Sequence, residues 1–260
     1  MRYAKKSLGQ NFLVDKNIVN KIINISDIAG KNVVEIGPGK GALTNQIILK
    51  KPKAIILIEK DNDLYKSLKD RYRNFKNIII YNNDIFKFDF EKKIKKNSII
   101  FGNLPYNISS QILVKFIRSK KSSALKSELI FMFQREMAER ITGKFGTAKY
   151  GRLSILANYK YKIKNEFNVS PNCFFPKPKV NSTVLSFKPN LTIQRIKKIE
   201  NLEKITNIFF SNKRKMVNKT VRKNFKNNIE IFKKLDLKLR PSEIKPELYY
   251  KITELFENGS

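Results

Sequence analysis

The segment Glu35-Ile36-Gly37-Pro38-Gly39-Lys40-Gly41 has the composition of a main chain that lets a ligand come close. It follows a short β-branched run, Asn32–Ile36, and precedes a helical stretch from about Ala42 to Lys50. Glycines at such a strand-to-helix turn permit a tight bend and put no Cβ between backbone and ligand. Gly37, Gly39 and Ala42 also satisfy a G-x-G-x-x-A spacing, which suits a dinucleotide. Two acids narrow the chemistry. Glu59 ends the next apolar run, about 20 residues on, where a carboxylate accepts from ribose hydroxyls. Asp84 ends a third run and can accept from an adenine amino group. The set points to a nucleoside ligand and does not separate NAD from S-adenosylmethionine.

A fourth run leads into Phe101-Gly102-Asn103-Leu104-Pro105-Tyr106-Asn107-Ile108-Ser109. Asn103-Leu104-Pro105-Tyr106 resembles the (Asn/Asp)-Pro-Pro-(Tyr/Phe) motif of methyltransferases that act on exocyclic amino groups of nucleobases. Leu104 in the first proline position is a variant typical of rRNA adenine methylases. The residue types suit that chemistry. An adenine N6 lone pair is delocalised into the ring and is a poor nucleophile. Two acceptors on its hydrogens, the Asn103 side-chain oxygen and the Leu104 carbonyl, would localise the pair and aim it at a methyl group. Pro105 stiffens the turn, and Tyr106 offers a face to an extruded base. Methyl transfer from a sulfonium needs orientation and desolvation rather than a strong base.

Such residues need elements that bring them to one edge. Apolar runs Asn32–Ile36, Ala54–Ile58, Ile78–Tyr81, Ser98–Phe101 and Glu128–Phe133 alternate with helical patterns at Asn62–Phe75, after Ser109 and at Gln134–Thr142. A further helix is predicted over Asp15–Ile28. Continuous β-branched strands between helices are what a parallel sheet buried on both faces requires. The fold class is therefore α/β, a doubly wound Rossmann-like layer. Pro171, Pro176 and Pro178 interrupt the pattern before an alternating strand, Val180–Phe187. Pro189 marks the predicted boundary between a first domain, 1–188, and a small all-helical domain, 189–260.

Composition excludes several classes. With no histidine, Ser-His-Asp and Cys-His catalysis and His-ligated metals are out. Cys173 alone forms neither an intrachain disulfide nor a CxxC zinc site, and no metal is expected. No apolar run approaches the roughly 20 residues that span a bilayer, so a cytoplasmic protein without membrane partners is expected. Lys plus Arg number 54 against 22 acids, a net charge of +32, and a surface so positive attracts polyanions. Lys213, Arg214, Lys215, Lys219, Arg222, Lys223 and Lys226 occur with no acid between Ser211 and Lys226. On one helix, Lys215, Lys219, Arg222 and Lys226 would share about a 60° arc, with Phe209, Met216, Val217 and Val221 opposite. Arg118, Lys120 and Lys121 extend the basic track near the Asn103 turn.

The whole chain resembles one family, the small-subunit (16S) rRNA adenine N6,N6-dimethyltransferases of bacterial type (the KsgA family). The resemblance rests on Lys6–Leu13, Glu35–Gly41 with Leu43-Thr44, Glu59, Asn83-Asp84, Phe101–Ser109, Tyr150–Ser154, Phe174–Val180 and Phe210–Lys215. It implies a class I methyltransferase sheet and S-adenosylmethionine as cofactor. It places Gln10, Asn11, Leu13, Gly37, Gly39, Glu59, Asp84 and Asn103 at that cofactor. It further implies that Phe174 sandwiches the target adenine against Tyr106, with Phe175 an unusual residue beside it. The partner implied is small-subunit rRNA in an immature 30S particle, and the sequence, with no strong heptad or apolar stripe, leads us to expect a monomer. The reaction implied is transfer of two methyl groups to each of two adjacent adenines in a hairpin loop near the rRNA 3′ end. A large-subunit rRNA adenine methylase of the antibiotic-resistance type shares the glycine and Asn-x-Pro-Tyr motifs, and a non-catalytic RNA-binding assembly factor would share the fold.

Overall fold

The computed structural model describes residues 9–119, 126–190, 195–225 and 235–258. Lys6, Ser7, Leu8, Lys120, Lys121 and Lys226 of the expected motifs lie outside these residues. The chain divides into two compact units, one of Met1–Ala138 with Ile163–Pro189 and one of Glu139–Lys162 with Asn190–Ser260.

The first unit begins with a two-residue strand, β1 (Phe12–Leu13), and a helix, α1 (Lys16–Ile23), capped by the Asp15 carboxylate on the amides of Asn17 and Ile18. The helix ends earlier than its apolar pattern predicts. Asn24 closes it, and the buried Ile28 belongs to the turn that follows. Four parallel strands come next: β2 (Asn32–Ile36), β3 (Ala54–Glu59), β4 (Ile78–Asn82) and β5 (Ile99–Asn103). Between them run α2 (Ala42–Leu49), α3 (Asn62–Tyr72) and the short α4 (Phe90–Lys93). After β5 come α5 (Ser109–Arg118), β6 (Glu128–Gln134) and α6 (Arg135–Ile141). Ile55, Leu57, Ile100, Phe101, Leu129 and Phe131 are fully buried, as strands covered on both faces must be.

β7 (Tyr161–Val169), β8 (Phe174–Phe175) and β9 (Ser182–Pro189) complete the strands. The seven-stranded sheet has the order β4-β3-β2-β5-β6-β9-β7, with β9 antiparallel to β6. β8 pairs with β1 in a separate antiparallel ladder. β7 has no counterpart among the predicted strands. It sits at the sheet edge, where polar residues such as the exposed Lys164 and Asn165 and the half-buried Glu166 dilute the apolar signal.

In the second unit, α7 (Arg152–Lys160), α8 (Ile199–Phe210), α9 (Asn218–Asn224) and α10 (Pro246–Asn258) surround an aromatic core. Tyr150, Phe209, Phe210 and Tyr249 meet edge-on or tilted. The Tyr150 and Tyr250 hydroxyls donate to the carbonyls of Ile244 and Ile155 at 3.0 and 3.1 Å. These contacts explain why residues 139–162 join this unit, although the Pro189 boundary expected from sequence assigns them to the first.

Gly41 caps α2 at φ 80°, and a Cβ there would collide with the Tyr72 hydroxyl. Gly146 has nearly the same φ, 78°, with open space around it. Gly146→Ala should therefore cost about 1 kcal/mol for the left-handed backbone alone. Gly41→Ala should cost about 2 to 3 kcal/mol, because overpacking adds to it. Urea unfolding of both variants checks the difference.

Candidate active site

The strand order reverses at β2, which has β3 on one side and β5 on the other. In open α/β sheets ligands bind outside the carboxyl ends of the strands at such a point. The register pairs Ile36 with Ile58 and with Gly102, and Glu59 with Asn82, so the carboxyl ends of β2 to β5 finish nearly level. The residues that leave those ends line one cleft. Gly37 and Gly39, Glu59, Asp84 and Asn103 all face it, together with Gln10, Asn11 and Leu13 from the β1 segment and Leu104, Pro105 and Tyr106 from the turn after β5.

The glycine turn and Glu59 are tied together. One Glu59 oxygen accepts from the Gly39 amide at 3.1 Å, and the other accepts from the Asp61 amide at 2.8 Å. Gly37 lies at φ 65° with open space where a Cβ would stand. Glu35 is 2% exposed, and its carboxylate accepts from the Thr44 hydroxyl. Burial, opposed by that hydrogen bond and reinforced by the nearby Glu59 charge, pushes Glu35 up to about 7. Burial also raises Glu59. Asp84 goes the other way: the Lys60 ammonium, 2.8 Å from its Oδ2, holds it below the usual range.

At the end of β5 the chain bends sharply. A side chain at Gly102 would strike Leu104 and the Phe131 ring, so glycine lets Leu104 fold under the turn, where it is buried. The Pro105 carbonyl accepts from the Ile108 amide at 3.1 Å and the Tyr106 carbonyl from the Ser109 hydroxyl at 3.1 Å, which leads the turn into α5. The Asn103 Nδ2 donates to the Asn11 carbonyl at 3.1 Å. A backbone carbonyl only accepts, so the amide's nitrogen side is committed there and Oδ1 remains an acceptor. The same segment is held elsewhere: Gln10 Nε2 donates to Asp61 Oδ2 at 3.3 Å, and the Phe12 ring covers Gly39, beneath the Lys40 ammonium at 4.9 Å.

Two expected placements change. Phe174 is turned inward: it is 4% exposed, pairs across the β1–β8 ladder with Leu13, and packs in the core of the first unit. Alternation along the strand puts the next ring outward, so Phe175 is 55% exposed and pairs with Phe12. The basic segment is also no single helix. α8 stops at Phe210, turns carry the chain to Val217, and only Lys219, Arg222 and Lys223 of the expected cations lie on α9. Burial of Val217, whose amide bonds the Leu239 carbonyl, breaks the helix and leaves Met216 exposed rather than packed. Lys213 donates to the carbonyls of Ala148 and Tyr150 at 3.0 and 3.2 Å, a structural role. Arg214, Lys215, Lys219, Arg222 and Lys223 are exposed.

One residue escapes the sequence reading. The hydroxyls of Tyr106 and Ser182 lie 2.6 Å apart, and Ser182 is fully buried at the start of β9. The hydrogen bond fixes where the Tyr106 ring points. Its signal was positional: Ser182 stands two residues beyond the Phe174–Val180 motif, and it opens a strand that, expected to alternate, is instead buried at six successive residues from Ser182 to Phe187.

The family described as "Ribosomal RNA adenine dimethylase" matches residues 1–258. The chain belongs to that family. It is 44% identical over 257 residues to "Ribosomal RNA small subunit methyltransferase A" of Pelagibacter ubique (strain HTCC1062), covering 98% of this chain and 97% of the relative. Among solved structures, a dimethyladenosine transferase from Plasmodium falciparum superposes with a TM-score of 0.79 at 26% identity, covering 95% of this chain and 97% of that one. The 23S rRNA methyltransferase ErmE superposes at 0.72 with 20% identity, covering 95% and 100%, and shares the fold.

S-adenosylmethionine is the methyl donor of this family, and the cleft fits it. Glu59 stands beside the glycine turn, where a carboxylate favours a ligand with a cationic centre, while Glu35, pushed up to about 7 by burial, carries only part of a charge at neutral pH. The NAD alternative left open by the glycine spacing ends with the family match, whose methyl donor is S-adenosylmethionine. Glu59 keeps lone pairs for ribose hydroxyls, and Asp84 adds an acceptor at the next strand end.

The Tyr106–Ser182 bond predicts a non-additive pair. Tyr106→Phe and Ser182→Ala should each lower kcat several-fold, and the double variant should be no worse than either, while Ser182→Thr restores most of the rate. Single-turnover methylation checks this. Glu35 makes a pH-dependent contribution of known sign. Its folded pKa is raised, so its contribution is fully present below the unfolded value near 4.5 and is lost as pH rises through about 7. In thermal melts of the cofactor-free protein, Glu35→Gln should gain stability relative to the unmodified chain between those limits, and parallel curves would contradict the assignment.

Proposed function

We propose that this rRNA adenine dimethylase modifies N6 of two adjacent adenines in a hairpin loop near the 3′ end of small-subunit rRNA, two methyl groups on each. The observation that carries the reading is the Asn103 amide, whose nitrogen is bound by the Asn11 carbonyl so that its oxygen is left for an amino group. S-adenosylmethionine supplies a methyl group on a sulfonium sulfur. Asn103 Oδ1 and the Leu104 carbonyl accept the two N6 hydrogens in the first transfer and the one that remains in the second, which returns lone-pair density to nitrogen and fixes its direction. Each transfer leaves N6 with one proton in excess, which is lost to solvent. Tyr106, held by Ser182, gives the extruded base a face, and Pro105 keeps the turn from yielding. Glu59 and Asp84 orient the nucleoside end of the donor, while the Gln10–Leu13 segment keeps water from the reacting atoms.

Small-subunit specificity is supported by the Pelagibacter relative, which carries that name and matches along nearly its whole length. The large-subunit alternative has fold similarity alone behind it, at 20% identity. A purely assembly-factor role leaves the Asn103 geometry without a use. The exposed Arg214, Lys215, Lys219, Arg222 and Lys223 suit phosphate contacts, which position an RNA without reading bases. No described helix is long and apolar enough to cross a membrane. The enzyme is proposed to act in the cytoplasm, as a monomer, on an immature small-subunit particle. Of the two neighbouring rings, Phe175 is the one accessible to a base, and Phe174 serves packing.

Mass spectrometry of small-subunit and large-subunit rRNA, each incubated with enzyme and donor, should find dimethyladenosine in the small-subunit RNA alone. Asn103→Ala should abolish the product while donor binding weakens only in part. Phe174→Ala should cost about 3 to 5 kcal/mol of stability as a core truncation. Phe175→Ala should leave stability within about 0.5 kcal/mol and raise KM for RNA.

A further inference from the structure

The amino-terminal edge of the sheet, opposite the cleft, holds a second depression, rimmed by lysines. It is lined by the residues that enter the strands: Lys31 and Asn32 before and in β2, Lys53 before β3, Lys96 before β5, and Lys126 and Glu128 before and in β6. Two acceptors face no partner among the described residues. Asn32 Oδ1 and Glu128 Oε1 are both buried and unbonded, although the other Glu128 oxygen accepts from the Ser26 hydroxyl at 2.7 Å. Buried acceptors without donors are rare and invite a ligand that brings hydrogen-bond donors. Around them stand exposed ammonium groups, and Lys31, Lys53, Lys96 and Lys126 make no ion pair with a described residue. Four like charges left unpaired invite an anion.

One class of ligand carries both signals: phosphates for the lysines, and hydroxyl donors between the phosphates for the amide and the carboxylate. We infer that this edge binds the ribose-phosphate backbone of an RNA strand, with 2′-hydroxyls donating to Asn32 and Glu128. DNA offers the phosphates without the hydroxyls. The inference rests on rRNA being the substrate and adds a surface that the methylation cleft does not include.

The test compares three proteins. One is the unmodified chain. The second carries Lys53→Gln, Lys96→Gln and Lys126→Gln. The third carries Lys16→Gln, Lys66→Gln and Lys69→Gln, an equal loss of charge on exposed helix positions. Binding of a uridine 20-mer and of its deoxyuridine counterpart is measured against salt, beside methylation of a short hairpin RNA. The site variant should bind the ribose strand about tenfold more weakly, lose its preference for ribose over deoxyribose, and show a log–log salt slope smaller by about 2, the value for three phosphates. The third protein should keep the preference, and all three should methylate the hairpin alike. Equal losses in the two triple variants, or a ribose preference that survives in the site variant, overturn the inference. So does a loss of hairpin methylation confined to the site variant. Absence of methylation in the unmodified chain would instead be a failure of the proposed activity.

Discussion

The hydrogen bond from Asn103 to the Asn11 carbonyl is the constraint on which the site depends. It links the end of a central strand to a segment far away in sequence, and it decides which face of an amide a substrate meets. Turned the other way, Asn103 would offer donors to an amino group that can only be held by acceptors. Every neighbouring feature serves that orientation. Gly102 admits Leu104 beneath the turn, Pro105 and the Ser109 hydroxyl close it, and Gln10 pins the segment that carries Asn11. The amide is thus oriented before any substrate arrives, which is how a neutral group becomes effective in catalysis.

Electrostatics divides the molecule in a complementary way. The chain as a whole carries a net charge of +32, while the buried acids Glu35 and Glu59 sit where the cleft meets the glycine turn. A polyanion is drawn to the surface, and a cationic sulfonium compound is favoured within. The two ligands are therefore sorted by sign before shape is tested. Glu35 pays for its position by holding its proton up to about pH 7 when the cleft is empty of counter-charge.

Much of this was legible in the chain. Continuous apolar runs between helices give a parallel sheet, and acids or amides at the ends of those runs must then converge at one edge, so Glu59, Asp84 and Asn103 could be placed together without coordinates. What the sequence left open depends on contacts between distant residues. Periodicity cannot show that Phe174 turns in toward Leu13 while Phe175 turns out, because both are equally apolar and the strand is two residues long. It cannot show that Val217 is drawn inward and ends a helix that charge spacing alone extends to Lys226. β7 was missed because an edge strand tolerates polar residues. Ser182 was missed because a hydroxyl gains meaning only from the phenol opposite it.

The central claim concerns one amino group and two acceptors, and an RNA lacking that group addresses it directly. A hairpin RNA with purine in place of the target adenine keeps the ring, the stacking and the backbone and removes both N6 hydrogens. Two neutral hydrogen bonds at about 1 kcal/mol each correspond to a preference for adenine of about tenfold or more. Equilibrium binding in the presence of a non-reactive donor analogue should show that preference in the unmodified enzyme and a preference smaller by about fivefold in Asn103→Ala, which keeps the Leu104 carbonyl. Equal affinity of the unmodified enzyme for the two RNAs would contradict the account.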